Sequence, residues 1–531
     1  MRRDIVVFGF GIGLAIGFAA LGSGASPLQR GEIAKNSEAP GVSGIKDLLE
    51  SGGTNAGLNM PELRRFYERR DFAPAWNTSG ANLAIAALGS SAEDGLDPAA
   101  YRLDAILARK NAPTARNWSE LDLFLTNSVL AYMHDLHVGR VSPDSAGFAV
   151  ALPSTGYDAV AALTDALASG RLAELFGSLA PPHPEYARLK VALAQYRKIA
   201  EDGGWPQIAS FTSLDLQSAD TRISLLRRRL AIEDSLMNPN DASIENVEAA
   251  VKRFQARSGL EADGRVGKIT LAALNVPASA RVAQIIANME RWRWLPRPFE
   301  DTYVEVNAAD ATLKVVDHGK VVLTSKVITG KPASPTPIFK AEIEAVTVNP
   351  SWNIPDKIAR EEILPKEHRH PGYMARQHIV ADRPGGRLRQ LPGEGNSLGR
   401  LKLEMPNRFD SYLHDTPAQS LFAQADRHFS HGCMRVEQIQ PLASFAMSGD
   451  AQAGLERIRD AIATEVTQRF SVDKPIPVYV LYWTVIADQD GTVEFRPDVY
   501  GRDEKLLARL GGQRPMGRVS MLSDCSDARR G

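Results

Sequence analysis

The residues of this chain best suited to chemistry are Ser430-His431-Gly432-Cys433-Met434-Arg435, with His414 upstream inside Tyr412-Leu413-His414-Asp415-Thr416-Pro417. Cys433 is one of two cysteines; the other, Cys525, lies in a polar C-terminal segment. A thiol between glycine and histidines is a candidate nucleophile, because the thiolate is the reactive form and an imidazole can take its proton or stabilise its charge. Gly432 removes a side chain where a substrate carbonyl must approach the backbone. The N–H of Cys433, with that of Gly432 or Met434, can hold an oxyanion there. Three blander readings compete. Cys433 can be a buried structural thiol. It can form a disulfide with Cys525 in an oxidising compartment. It can ligate zinc with His414, His428 and His431, although no paired Cys-x-x-Cys or His-x-x-x-His spacing supports a metal site.

A histidine, fifteen intervening residues, then Ser-His-Gly-Cys, an apolar residue and Arg resembles the motif of L,D-transpeptidases, the YkuD-type cysteine enzymes of bacterial cell walls. The resemblance implies His414 as base and Cys433 as nucleophile. A papain-like enzyme or a cell-wall amidase usually places its Cys before its His, which is the opposite order. Ser430 and His431 read as residues that orient the loop. Arg435 can meet a substrate carboxylate in a bidentate pair or hold the loop to the protein. Tyr412 and Trp352 are candidates to line the cleft, each equally suited to a core. No cofactor and no metal is expected.

With 531 residues, the chain has room for three or four domains. Lys plus Arg total 62 and Asp plus Glu 63, so the net charge of −1 gives no footprint for nucleic acid. No Walker-type phosphate loop and no dinucleotide fingerprint is present. At the N-terminus, Arg2 and Arg3 precede an uncharged run from Ile5 to Leu21 and then Ser23-Gly24-Ala25. That pattern predicts a signal peptide or signal anchor over 1–25, hence an exported body in the periplasm or cell envelope, touching membrane only through this segment.

Residues 26–55, rich in Ser, Gly, Asn and Ala, read as a flexible linker. A helical scaffold is expected over 56–210. In it, Leu63, Phe66 and Tyr67 share one face, Leu121 to Leu136 form a long helix, and Tyr186, Leu189, Leu193 and Tyr196 repeat at helical spacing. His134 and His137 fall three apart without an acidic or third ligand and read as structural. Residues 211–277 hold Ile223, Leu226 and Leu230, then Ile244, Val247, Val251 and Phe254, then Asp263-Gly264-Arg265-Val266-Gly267 and a short helix. This phrase resembles the three-helix peptidoglycan-binding module, or a spacer derived from it. A connecting helix follows over 278–300.

From 301 to 487 the period changes to alternating, with strands near Val304–Val306, Leu313–Val315, Val321–Ile328, Ile343–Val348 and Val478–Val485 and a turn at Asp317-His318-Gly319-Lys320. Residues about 353–400 interrupt the pattern with five prolines and many bases, among them Lys357, Arg360, Lys366, Arg369 and Arg376; a long break without clear strands reads as an inserted lid. Residues 488–531 read as a tail without a core. The predicted fold class is multidomain α+β: a mostly α-helical scaffold, a small peptidoglycan-binding-like module and a β-rich catalytic domain with an inserted lid. The layout resembles the large YcbB-like branch of the family. It implies acyl transfer on peptidoglycan stem peptides, with a second diaminopimelate, an envelope protein or water as acceptor. The rival from another class is a non-catalytic wall anchor.

Overall fold

The computed structural model describes residues 42–51, 57–111, 115–146, 148–153, 156–210, 213–216 and 221–511. The expected export segment 1–25 and Cys525 lie outside the described residues.

Helices build the N-terminal part. Helix Met60–Glu68 opens with Asn59 as N-cap and Pro61 in its first turn, and buries Leu63, Phe66 and Tyr67. These pack toward the long helix Ala115–His137, which supplies Leu121, Leu125, Val129 and Met133 to one shared core. A polar knot completes it: Tyr67 donates to Asp122 at 2.6 Å, and the N–H groups of Ala75 and Trp76 donate to the same carboxylate. Part of the expected linker is also ordered. Helix Val42–Ser51 buries Ile45 and Leu49, an i,i+4 apolar pair that packs against Ala115–His137. A flexible linker does not describe these ten residues.

The smaller module has three helices, Arg222–Ala231, Ile244–Arg257 and Lys268–Leu274, around Leu226, Leu230, Val247, Val251, Phe254 and Leu274. Its turn depends on Gly264, at φ +78°, whose N–H donates to buried Gln255 Oε1 at 2.8 Å.

Helix Ala278–Arg293 is buried on nearly every side, its charged residues included. Glu290 accepts from the Val141 N–H at 2.8 Å and from Arg293 at 2.6 Å, while Arg291 pairs with Asp503 at 2.6 Å. One helix thus ties the helical part, the sheet and the C-terminal segment together. That last contact corrects the expected tail. Strand Val493–Phe495 pairs with Val485–Ala487, and helix Arg502–Gly511 buries Leu506 with Asp498 accepting at its start. Phe495 and Leu506 bury in the central core, so residues 488–511 are folded structure.

The large sheet contains β1 (Thr302–Asn307), β2 (Thr312–Asp317), β3 (Lys320–Gly330), β4 (Ile338–Val348), β5 (Leu401–Glu404), β6 (Leu413–His414), β7 (Met434–Val436) and β8 (Gln468–Leu481). The order is β4-β5-β6-β7-β3-β2-β1-β8, and β8 pairs back onto β4, so the sheet closes on itself. The β2–β3 turn uses His318 and Gly319, both at positive φ, as a two-residue hairpin demands. Val306, Val315, Val346, Leu403 and Val480 fill the interior with helix Ile439–Ser448.

The segment expected to lack strands has its own small fold. Strands Trp352–Asn353, Leu388–Gln390 and Ile379–Ala381 form a three-stranded antiparallel sheet, and short helical turns between 356 and 376 pack over it. Ile354, Ala359, Ile363, Ile379 and Leu388 are its core. The prolines separate short elements here and do not prevent them.

Candidate active site

Strand pairing assembles the site. β6 runs parallel to β7 with Leu413 beside Met434 and His414 beside Arg435. Leu413 and Met434 are both fully buried in the barrel interior. Side chains alternate along a strand, so Tyr412, His414, Cys433 and Arg435 share the opposite face. Two segments about twenty residues apart meet there because their apolar residues must face inward.

Hydrogen bonds around Gly432 set the approach to Cys433. Gly432 has φ +113°, a conformation that excludes most side chains. Its carbonyl accepts from Thr336 Oγ1 at 3.1 Å and Ser411 Oγ at 3.2 Å. In a trans peptide the C=O and the next N–H point in opposite directions. Pinning the Gly432 carbonyl therefore aims the Cys433 N–H the other way, and among the described residues that N–H makes no hydrogen bond. The other two expected oxyanion donors are already engaged. The Met434 N–H donates to Tyr412 O at 3.0 Å, as parallel pairing requires, and the Gly432 N–H donates to Ser430 Oγ at 3.1 Å. Ser430 also donates to the Cys433 carbonyl at 2.5 Å and so clamps the turn.

His414 is buried, and its Nδ1 lies 2.6 Å from the Asp415 carbonyl oxygen. A carbonyl only accepts, so Nδ1 carries the proton and Nε2 presents its lone pair. Burial, with Arg435 and Lys402 adding cationic repulsion, drops this imidazole to about 3. Burial pushes the Cys433 thiol up, against weaker opposing effects from Tyr412, Lys402 and Arg435. The resting pair is therefore neutral thiol and neutral imidazole. The Cys433 sulfur sits 3.9 Å from the Asp410 carbonyl, in a turn whose Asn407 side chain bonds Met405, Phe409 and Ser411.

Tyr412 stands against Cys433 and Trp352 through its hydroxyl, with its ring edge-on to His414 at 5.6 Å; burial raises its pKa. Trp352 and Tyr412 are half-buried, and Trp352 also packs on the small core around Ile354 and Leu388. The Nε of Arg435 is buried without a partner. His431 Nε2 meets Glu362 of the segment that carries the three-stranded sheet at 2.7 Å and Lys331 at 3.0 Å. His428 bonds Asp426 and the Ala308 carbonyl.

Reading the sequence missed Lys402, Thr336, Ser411 and Glu362. Lys402 sits in a Leu-Lys-Leu-Glu alternation whose partner strand is not local, so only the register reveals that it lies opposite His414.

Comparison with known proteins follows the same outline. Residues 301–463 match the L,D-transpeptidase catalytic domain, 61–193 a scaffold domain, and 220–274 a family described as "Putative peptidoglycan binding domain". A curated relative from Haemophilus influenzae, named "Putative L,D-transpeptidase", is 30% identical over 255 residues, 44% of this chain. The match spans 51% of that relative, about half its length. Among solved structures, the catalytic domain of an E. faecium L,D-transpeptidase acylated by ertapenem is 17% identical. It covers 34% of this chain and 98% of that one, with a TM-score of 0.19. L,D-transpeptidase 3 from Mycobacterium tuberculosis, in complex with a faropenem-derived adduct, is 16% identical over 34% of this chain and 60% of that one, also at a TM-score of 0.19. The catalytic-domain match encloses His414 and Cys433, so the chain carries an L,D-transpeptidase catalytic domain, preceded by a scaffold domain and a peptidoglycan-binding domain.

Proposed function

We propose that the protein is a cysteine L,D-transpeptidase of the bacterial envelope that acts on peptidoglycan tetrapeptide stems through a thioester. The observation that carries this reading is the shared face of Cys433 and His414, with the His414 lone pair free and an unbonded Cys433 N–H beside the sulfur.

As Sγ attacks the carbonyl carbon at the L-centre of diaminopimelate, the thiol proton passes to His414 Nε2. The oxyanion accepts the Cys433 N–H. On collapse the C–N bond breaks, the leaving D-Ala nitrogen takes the proton from His414, and a thioester remains. An acceptor amine then attacks the thioester and loses a proton to His414, which returns it to sulfur as the C–S bond breaks. No external energy source enters, since one amide replaces another. A second diaminopimelate as acceptor gives a 3-3 cross-link, an amine of an envelope protein gives attachment, and water gives L,D-carboxypeptidase activity. Contact of the lid with the catalytic loop through Glu362 and His431 supports closure that favours an amine over water. The module at 220–274 supports wall binding near the substrate.

The test incubates the full chain with a tetrapeptide donor and follows products by mass spectrometry. A dimer that has lost one D-Ala per new bond is expected. Untouched donor would refute the reading and leave wall anchoring. Muropeptides from cells with and without the protein identify the acceptor.

A further inference from the structure

Three neighbouring strands place one row of side chains across the site: Lys402 on β5 opposite His414 on β6, and His414 beside Arg435 on β7. Residues facing each other on adjacent strands have Cβ atoms about 5 Å apart, so the imidazole lies between two cations. Leu401 and Leu403 are fully buried, which turns Lys402 toward the face that carries Cys433.

Neither cation forms an ion pair among the described residues, and Lys402 acts on Glu404 only as a minor charge behind Thr347 and Arg469. The acids nearby are occupied. Glu404, on the same face of β5, accepts from Thr347 at 2.6 Å and from Arg469 at 2.9 Å. Asp415 accepts the Arg400 N–H at 2.8 Å and Gln419 at 3.2 Å. Glu362 meets His431. Lys402 instead rests its ammonium 4.4 Å from the centroid of the ring of Tyr412, whose hydroxyl faces Cys433. Arg435 is half-buried and leaves its buried Nε without a partner. Cations at a desolvated site are normally paired, and two that are not await an anion.

We propose that Lys402 and Arg435 together form a carboxylate-binding site that selects the acyl donor, with Lys402 as its specificity-determining residue. The ligand class is a carboxylate carried within a few bonds of the reacting carbonyl. The proposal rests on the transpeptidase reading for the identity of the donor. A tetrapeptide stem offers two such groups, the carboxylate of the terminal D-Ala and that of the diaminopimelate D-centre. Lys402 approaches the row from the side away from β7, so Lys402 and Arg435 reach a donor from opposite sides of His414. The same two cations repel a proton from His414 and keep its lone pair available.

The first measurement compares kcat/KM for acylation by a tetrapeptide donor and by analogues amidated at one carboxylate or the other. The wild type prefers the carboxylate form of one analogue pair. Lys402→Gln lowers that preference about tenfold, as loss of one charge-assisted hydrogen bond would, and Lys402→Arg restores it. A preference that survives Lys402→Gln in both pairs overturns the proposal. A second measurement needs no peptide substrate. Alkylation of Cys433 by iodoacetate is compared with alkylation by neutral iodoacetamide, read on the Cys433 peptide by mass spectrometry. The iodoacetate-to-iodoacetamide ratio exceeds that of a free thiol in the wild type and falls several-fold in Lys402→Gln. An unchanged ratio overturns the carboxylate site. Failure of the wild type to react with any tetrapeptide would refute the transpeptidase reading instead, and the alkylation ratio would still decide this one.

Discussion

The hydroxyl of Thr336 donates to the Gly432 carbonyl at 3.1 Å, and that bond fixes the peptide whose other end is the Cys433 N–H. Thr336 thereby acts on a group that it does not touch. Thr336→Val combined with Ser411→Ala frees the Gly432 carbonyl to rotate. Acylation by a tetrapeptide should slow about 10- to 100-fold, since a full oxyanion donor is worth about 100-fold or more. Alkylation of Cys433 by iodoacetamide passes through no oxyanion and should change little. Equal losses in both reactions would show a disordered loop.

His414 is held at about 3 by burial and by its two cationic neighbours, so the imidazole is neutral across the working range. Acylation should therefore show no acid limb near 6.5 and should hold its rate from pH 7 down to pH 5. His414→Gln removes the proton acceptor, and a loss of about 100- to 10,000-fold is expected at every pH in that range. Stopped-flow acylation across pH checks both. A limb at the ordinary histidine value would place the working base elsewhere or show that substrate reverses the depression.

Burial also lowers His183 to about 4, where it packs on Trp292 and Phe299. The folded state refuses a proton that the unfolded chain accepts below about 6.5. More protons bind to the unfolded chain in that window, so the contribution of His183 is intact above pH 6.5 and is lost as pH falls toward 4. His183→Phe should flatten the acid side of the stability profile by about 1 kcal/mol per pH unit between 6 and 4. Urea denaturation of both proteins at pH 7 and pH 5 measures the difference.

Glu290 and Arg293 form a buried ion pair inside the central helix, and Glu290 also holds the Val141 N–H. Removing one partner leaves a buried charge. Glu290→Ala should cost about 3–5 kcal/mol in denaturant unfolding. A cost below about 1 kcal/mol would show that the helix is not the joint between scaffold and sheet.

The segment proposed as a lid meets the loop that carries Cys433 through Glu362 and His431. Replacing residues 356–387 with a short turn keeps Trp352 and leaves the Arg400 N–H on Asp415. The ratio of hydrolysed to cross-linked product should rise at equal acylation. A constant ratio would make the lid irrelevant to acceptor choice.

Much of the site was legible because its elements are local in sequence. Gly432 and Cys433 follow one another, and the alternation of Leu413 and Met434 with polar residues states which way each strand faces. The sequence hid what depends on pairing between distant strands. Lys402 looks like any exposed strand lysine until β5 is set beside β6. Met434 looked free to bind an oxyanion until Tyr412 claimed its N–H. The helix at Val42–Ser51 hid behind a composition of Ser and Gly, although Ile45 and Leu49 carry its packing. Helix Arg502–Gly511 hid likewise, its partner Arg291 lying about two hundred residues away.

The central claim is that acyl transfer runs through the sulfur of Cys433. Intact-mass spectrometry of the full chain, after exposure to a tetrapeptide donor and separately to a carbapenem, tests it most directly. One adduct per chain is expected, mapped to the Cys433 peptide, absent in Cys433→Ala and retained in Cys525→Ser. An adduct that persists in a folded Cys433→Ala variant would contradict the account.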